Sequence, residues 1–273
     1  MHDRPEADPL LREMYQPWPP QLLGGTAACL LLTLYPPVTA PFAAEWQAAG
    51  RPLDPCTRLI PHWKTAVAGT PAEISRLRRA AAAAHGRVHG QLPADADASR
   101  FGVSYDATDP EAMTSMYVII LHLMLAAQEF LGQRLPDDAA RDRYCRLAAG
   151  TAGYAFGVQD SVPGTIAGLR QAYEAITAGK LQDTGLGRQL RQAMLASPIA
   201  GIPAPELAGC AALLLGRRAT ALLGPLPAAG QLSPSVLLDK VRAAQPPPAR
   251  DGHGAARPGA RRGRRAALTP AGP

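Results

Sequence analysis

DPEAMTSMYVIILHLMLAAQEFLGQRL, Asp109 to Leu135, is the longest uninterrupted apolar stretch of the chain with a clear start signal, and its reading decides the fold. Either Asp109 caps a helix with Pro110 in its first turn, or Thr108 caps it with Glu111 three residues on. The 17 residues between Glu111 and Glu129 contain no Asp, Glu, Lys or Arg. That falls short of the roughly 20 apolar residues of a membrane-spanning helix, and Thr114, Ser115, His122 and Gln128 interrupt it. The stretch reads as the buried central helix, about 109–132, of an all-α domain with no transmembrane segment.

Two of its side chains, Tyr117 and His122, can do chemistry. At 100° per residue a separation of five turns roughly 140° about the axis, so they face different neighbours. Tyr117 shares its face with Met113, Ile120, Met124 and Leu131, and His122 shares one with Val118, Leu125 and Glu129. Each reads equally well as a hydrogen-bonded core residue, since buried polar groups find partners whether or not they react.

Composition agrees with a helical domain. The 273 residues are 47% hydrophobic but only 5% aromatic, with Ala and Leu supplying most of the apolar mass, which favours helices over strands. The net charge of +6 is local: residues 246–273 hold six Arg and one Asp, so the remainder is nearly neutral. This Arg, Pro and Gly segment has too few apolar residues to offset the entropy of ordering, and it reads as a disordered basic tail. Any contact of its RRGRR cluster with nucleic acid or an anionic membrane is expected to be nonspecific and salt-sensitive. The cysteines at 29, 56, 145 and 210 form no metal-ligand or redox spacing. With no secretory signal pattern at the N-terminus, a cytoplasmic location is the expectation.

Taken in order, residues 1–20 read as a Pro-rich irregular arm, and 21–245 as one helical domain. Its helices are expected over Gln21 to Tyr35, Thr39 to Ala49 with a break near Pro41, and Pro52 to Ala68. Thr70-Pro-Ala-Glu73 has capping-box spacing and opens an Ala-rich helix through Arg79 toward His89. Gly90 to Asp106 reads as a loop. Further helices follow over Pro136–Phe156, Pro163–Ala178, Thr184–Ala196, Pro205–Leu223 and Pro234–Ala244, and no stretch alternates long enough for a strand. Phosphate-binding glycine loops, nucleophile elbows and His-Glu-x-x-His zinc helices are absent from the sequence.

Weaker marks occur in a fixed order. LLGG at 22–25 leads to Tyr35-Pro36, and His85-Gly-Arg-Val88-His-Gly90 ends the Ala-rich helix. Tyr105-x-Ala107-x-Asp109-Pro110-Glu111 opens the central helix, and Gln128-Glu129-Phe130, Arg143-Tyr144 and Val162-Pro163-Gly-Thr165 follow, the last leading into Leu169 and Tyr173. Over about Leu22 to Pro227 this order resembles the helical family that holds the MpaB-type oxygenases and, more distantly, latex-clearing protein. These are haem b proteins that cleave carbon-carbon double bonds with O2.

The resemblance implies a haem-dependent oxygenase or related oxidoreductase acting on an apolar small molecule, in the setting of specialised metabolism. In the family a Trp-Val-His follows Asp-Pro-Glu and its His is the axial iron ligand. Here Ser115-Met116-Tyr117 stands there, so Tyr117 becomes the implied ligand, with His122 as the alternative, and a tyrosinate can ligate ferric haem. His85 matches the family's distal histidine and is the implied catalytic proton donor. Arg78 and Arg79 stand one turn before the usual arginine positions and are assigned to a propionate or an acidic substrate group. Met113, Met116, Ile120 and Met124 would line the apolar pocket. Tyr35 replaces the His of a usual His-Pro pair. Two other readings stay open: a haem-free relative that binds or converts an apolar metabolite, and a helical interaction protein with a basic tail.

Overall fold

The structure, a computed structural model, describes residues 8–49, 62–67, 69–196, 198–199, 201–226, 239, 240 and 243. In chain order the elements are α1 (Pro9–Tyr15), α2 (Trp18–Leu32), α3 (Pro36–Ala49), α4 (Pro71–His85), β1 (His89–Gln91), α5 (Ala98–Phe101), β2 (Ser104–Asp106) and α6 (Pro110–Phe130). Then come α7 (Asp138–Ala148), a π-helical turn (Ala149–Gly153), α8 (Tyr154–Phe156), α9 (Ile166–Gly179), α10 (Gly185–Leu195), α11 (Ala204–Ala212) and α12 (Arg217–Leu223). Residues 62–67 are helical as well. The all-α expectation holds.

The central helix is α6, and its start is decided for Asp109. The Asp109 carboxylate accepts from Glu111 N at 2.7 Å and Ala112 N at 3.1 Å, while Thr108 turns back and donates to Asp106 at 2.6 Å. By length and composition alone α6 could cross a bilayer, yet more than half of its apolar stretch is buried inside the protein. Its main partner is α2, which is apolar on every side and buried along most of its length, so it shows no amphipathic stripe. The two helices meet at Gly24, where a Cβ would lie 2.9 Å from Leu123 O and 3.0 Å from Met124 Cα. The missing side chain at Gly24 therefore lets the α2 backbone lie against that of α6. Helix α9 packs on another side of α6, and α11 covers α2.

Several local expectations are corrected. Pro9–Tyr15 is a helix, not an irregular arm; Asp8 caps it, and Leu11, Met14 and Tyr15 are buried in the main core. Pro41 lies inside a continuous α3. Residues in the connecting segment form a small antiparallel pair, with His89 opposite Asp106, Gly90 opposite Tyr105 and Gln91 opposite Ser104. Three-residue strands are too short to leave an alternation in sequence. The expected Pro205–Leu223 helix is two, α11 and α12. The capping box at Thr70 is present, with Thr70 N donating to Glu73 at 2.8 Å and Glu73 N to Thr70 Oγ1 at 3.3 Å. The 246–273 tail lies outside the described residues, as do most of the Pro52–Ala68 and Pro234–Ala244 helices.

A buried ion pair ties α10 to the end of α2. Arg191, 7% exposed, donates to Thr33 Oγ1 at 3.0 Å and to Asp183 Oδ1 at 2.9 Å, and Arg188 reaches the other Asp183 oxygen at 2.8 Å. Burial alone would raise the Asp183 carboxyl, but the hydrogen bonds from Arg191 and Arg188 outweigh it and hold the group below its ordinary value. A lowered acid contributes stability above its unfolded pKa, roughly 3.9, and loses it as pH falls through the folded value. Asp183→Asn is expected to cost about 1–3 kcal/mol at pH 7. In denaturant melts the gap to the parent chain should narrow near pH 3, and a gap independent of pH would show that the carboxylate charge contributes nothing.

Candidate functional site

The implied ligand Tyr117 is 1% exposed and fully engaged. Its hydroxyl donates to Ala148 O at 2.6 Å and takes a hydrogen bond from the Gly153 N–H. Those two groups stand at the entrance and exit of the Ala149–Gly153 π-helical turn, so one phenol clasps both ends of an irregularity that α-helical bonding does not satisfy. Its ring packs against Trp63 at 5.4 Å between centroids and Phe156 at 6.4 Å. Trp63 in turn neighbours Phe156 and Tyr15, and Tyr15 stacks on Tyr144 with their hydroxyls hydrogen-bonded. Burial drives the Tyr117 phenol well above its ordinary value; Tyr15 adds to this and the Gly153 N–H opposes it.

Helix α4, which carries the implied distal residues, packs on α8 and buries only Ile74 fully. Arg78 is half-buried with its guanidinium 4.2 Å over the Tyr154 ring, a cation–π contact. Arg79 is exposed, and His85 is half-buried as the last residue of the helix. The apolar stripe does not behave as one lining. Met113, Met116 and Ile120 are half-buried, whereas Met124 is buried at the α2 crossing, its sulfur against Gly24.

His122 faces a different element. Its imidazole lies flat on the Tyr173 ring of α9, with centroids 3.8 Å apart and planes 13° from parallel. Burial, reinforced by Arg170 and opposed by Glu129, lowers its pKa to about 4, so it is neutral at physiological pH. The Tyr173 hydroxyl is buried without a hydrogen-bond partner among the described residues, and burial pushes its pKa up to about 12.

A third polar group was missed in sequence because its members come from three separated elements. Lys180, after α9, donates to buried Ser115 at 3.1 Å and pairs with Glu111 at 2.8 Å, and Tyr35 is hydrogen-bonded to the same Ser115. Tyr35 and Ser115 are two of the positions that depart from the family pattern, and here they are partners. A shallow surface depression lined by Leu92, Pro93, Asp95, Leu186 and Gln189 uses none of these residues. Among the described residues no group of three or more His, Cys, Asp or Glu could hold a metal ion.

The fold and these positions define an all-α domain organised on one buried helix, with its polar side chains gathered at three places along that helix. A family model described as ER-bound oxygenase mpaB/B′/Rubber oxygenase, catalytic domain, matches residues 12–271, and the chain belongs to that family. No curated protein and no solved structure matches it.

Membership makes haem the cofactor to test, and Tyr117 does not fit the role of its ligand. A tyrosinate would have to give up the Ala148 bond, lose its proton inside an aromatic cluster and displace Trp63 or Phe156 to admit a porphyrin. Of the sequence-assigned residues, Arg78 reaches Tyr154 next to the π-helical turn, and His122 is stacked on Tyr173 of α9.

Proposed function

We propose that the chain is an oxygenase-type oxidoreductase acting on an apolar small molecule, with haem b as its cofactor and O2 as its oxidant, and with an iron ligand other than Tyr117. Support comes from the family match over 12–271, which takes in every motif whose order resembles the family. Haem supplies the activation of O2 when bound. In this reading His85 holds or transfers a proton at the end of α4, Arg79 stays solvated, and the apolar faces of α6 meet the substrate. A cytoplasmic setting and a role in specialised metabolism belong to the same proposal, and no sequence-specific nucleic-acid partner does.

The engagement of Tyr117 favours a second reading, a haem-free relative that keeps the scaffold for an apolar ligand. The ultraviolet-visible spectrum of the purified full chain, expressed with haem available and then titrated with hemin, separates the two. The first reading expects a Soret band that Tyr117→Phe leaves in place. A colourless protein that takes up no hemin leaves the haem-free reading.

A further inference from the structure

Away from Tyr117, the contact of the central helix with α9 holds a buried hydroxyl with no hydrogen-bond partner among the described residues. Tyr173 is 7% exposed, yet its hydroxyl has no hydrogen-bond partner among the described residues, and the half-buried His122 is stacked flat on its ring. Native interiors rarely leave such donors unpaired, because an unmade hydrogen bond forfeits the desolvation of the group. The charges around the pair are unequal. Glu129, on α6, is held by Arg141 of α7 at 2.7 Å, whereas Arg170, one turn before Tyr173 on α9, makes no ion pair among the described residues. The Cys145 thiol, on α7 and also within reach of the Arg170 field, is pushed up to about 11 by burial and stays neutral.

We propose that His122, Tyr173 and Arg170 form a binding site between α6 and α9 for the carboxylate of an otherwise apolar molecule. The phenol O–H, the imidazole N–H and the guanidinium are all donors at neutral pH, and an acceptor-only anion is the group that satisfies three donors together. Val118 and Leu125, on the His122 face of α6, and Leu169 and Ile176, on the Tyr173 face of α9, are the buried apolar residues that the molecule's hydrocarbon part would meet. The site goes beyond the oxygenase reading and needs no haem, so the two stand or fall separately.

Decanoate and decan-1-ol, equal in chain length and different in charge, are the probes, read on the full chain by melting temperature and calorimetric titration. Decanoate is expected to raise the melting temperature and to bind more tightly than the alcohol. Tyr173→Phe removes only the orphan hydroxyl, so the unliganded variant should melt at or above the parent temperature while its decanoate Kd weakens roughly tenfold or more. Arg170→Gln should weaken decanoate similarly, and His122→Phe should do so while keeping a flat ring on Tyr173. Three results would each overturn the site: no stabilisation by decanoate, equal decanoate affinity in the parent and Tyr173→Phe, or decan-1-ol bound as tightly as decanoate. A loss of unliganded stability in Tyr173→Phe would also sink it, by showing that the hydroxyl already has a partner in the protein.

Discussion

Tyr117→Ala is expected to destabilise the cofactor-free chain by about 3–5 kcal/mol, the cost of removing a large aromatic side chain from a packed core. The ring fills the space between Trp63 and Phe156, and a truncated side chain leaves a cavity there as well as an unclasped π-helical turn. Tyr117→Phe isolates the second effect. It keeps the ring but takes the hydroxyl donor from Ala148 O, which also receives Thr151 Oγ1 at 3.5 Å, for an expected loss of about 1–3 kcal/mol. Urea melts of the two variants without added hemin check both figures. A Tyr117→Phe chain as stable as the parent would mean that the hydroxyl is free for another task, and iron ligation by this residue would return to consideration.

Gly187→Ala should be nearly as damaging, against the usual trend. In an ordinary helix this change gains up to about 1 kcal/mol, because glycine is the poorer helix former. At Gly187 the added Cβ would lie 2.1 Å from Thr33 O, a backbone atom at the end of α2 that cannot swing aside. Overpacking of this kind typically costs about 1–3 kcal/mol, and the severity of the overlap puts the expected net loss near 3 kcal/mol. For a domain of this size that corresponds to roughly 6–12 °C in melting temperature. Gly185→Ala is the internal control, since its Cβ would meet only Asp95 Oδ2 at 3.5 Å and Arg188 Nη2 at 3.8 Å. Equal melting temperatures for the two variants would show that α10 shifts freely on α2.

Both expectations turn on contacts that sequence reading could not supply. The central helix was legible because an acidic cap, a first-turn proline and a long apolar run are local signals, and α6 begins at Asp109 as one of the two readings had it. The capping box at Thr70 belongs to the same class. The errors have a common cause as well. The prolines of residues 1–20 read as those of an irregular arm, although Pro9 sits in the first turn of a helix, where its missing N–H costs nothing. The glycines at 24 and 187 gave no local hint that each faces another backbone.

The sequence by itself determined the helical class, the buried helix at its centre, the family through the order of its motifs, and the 140° that parts Tyr117 from His122. Those properties follow from spacing along one chain, which helix geometry converts directly into direction. Only the tertiary structure decided what each of the two side chains meets. Tyr117 is spent on Ala148 and Gly153 at a π-helical turn some thirty residues away, and His122 lies on a tyrosine whose hydroxyl has no partner among the described residues. A side chain's chemistry depends on the groups that desolvate it and bond to it, and these come from segments whose approach no local pattern encodes.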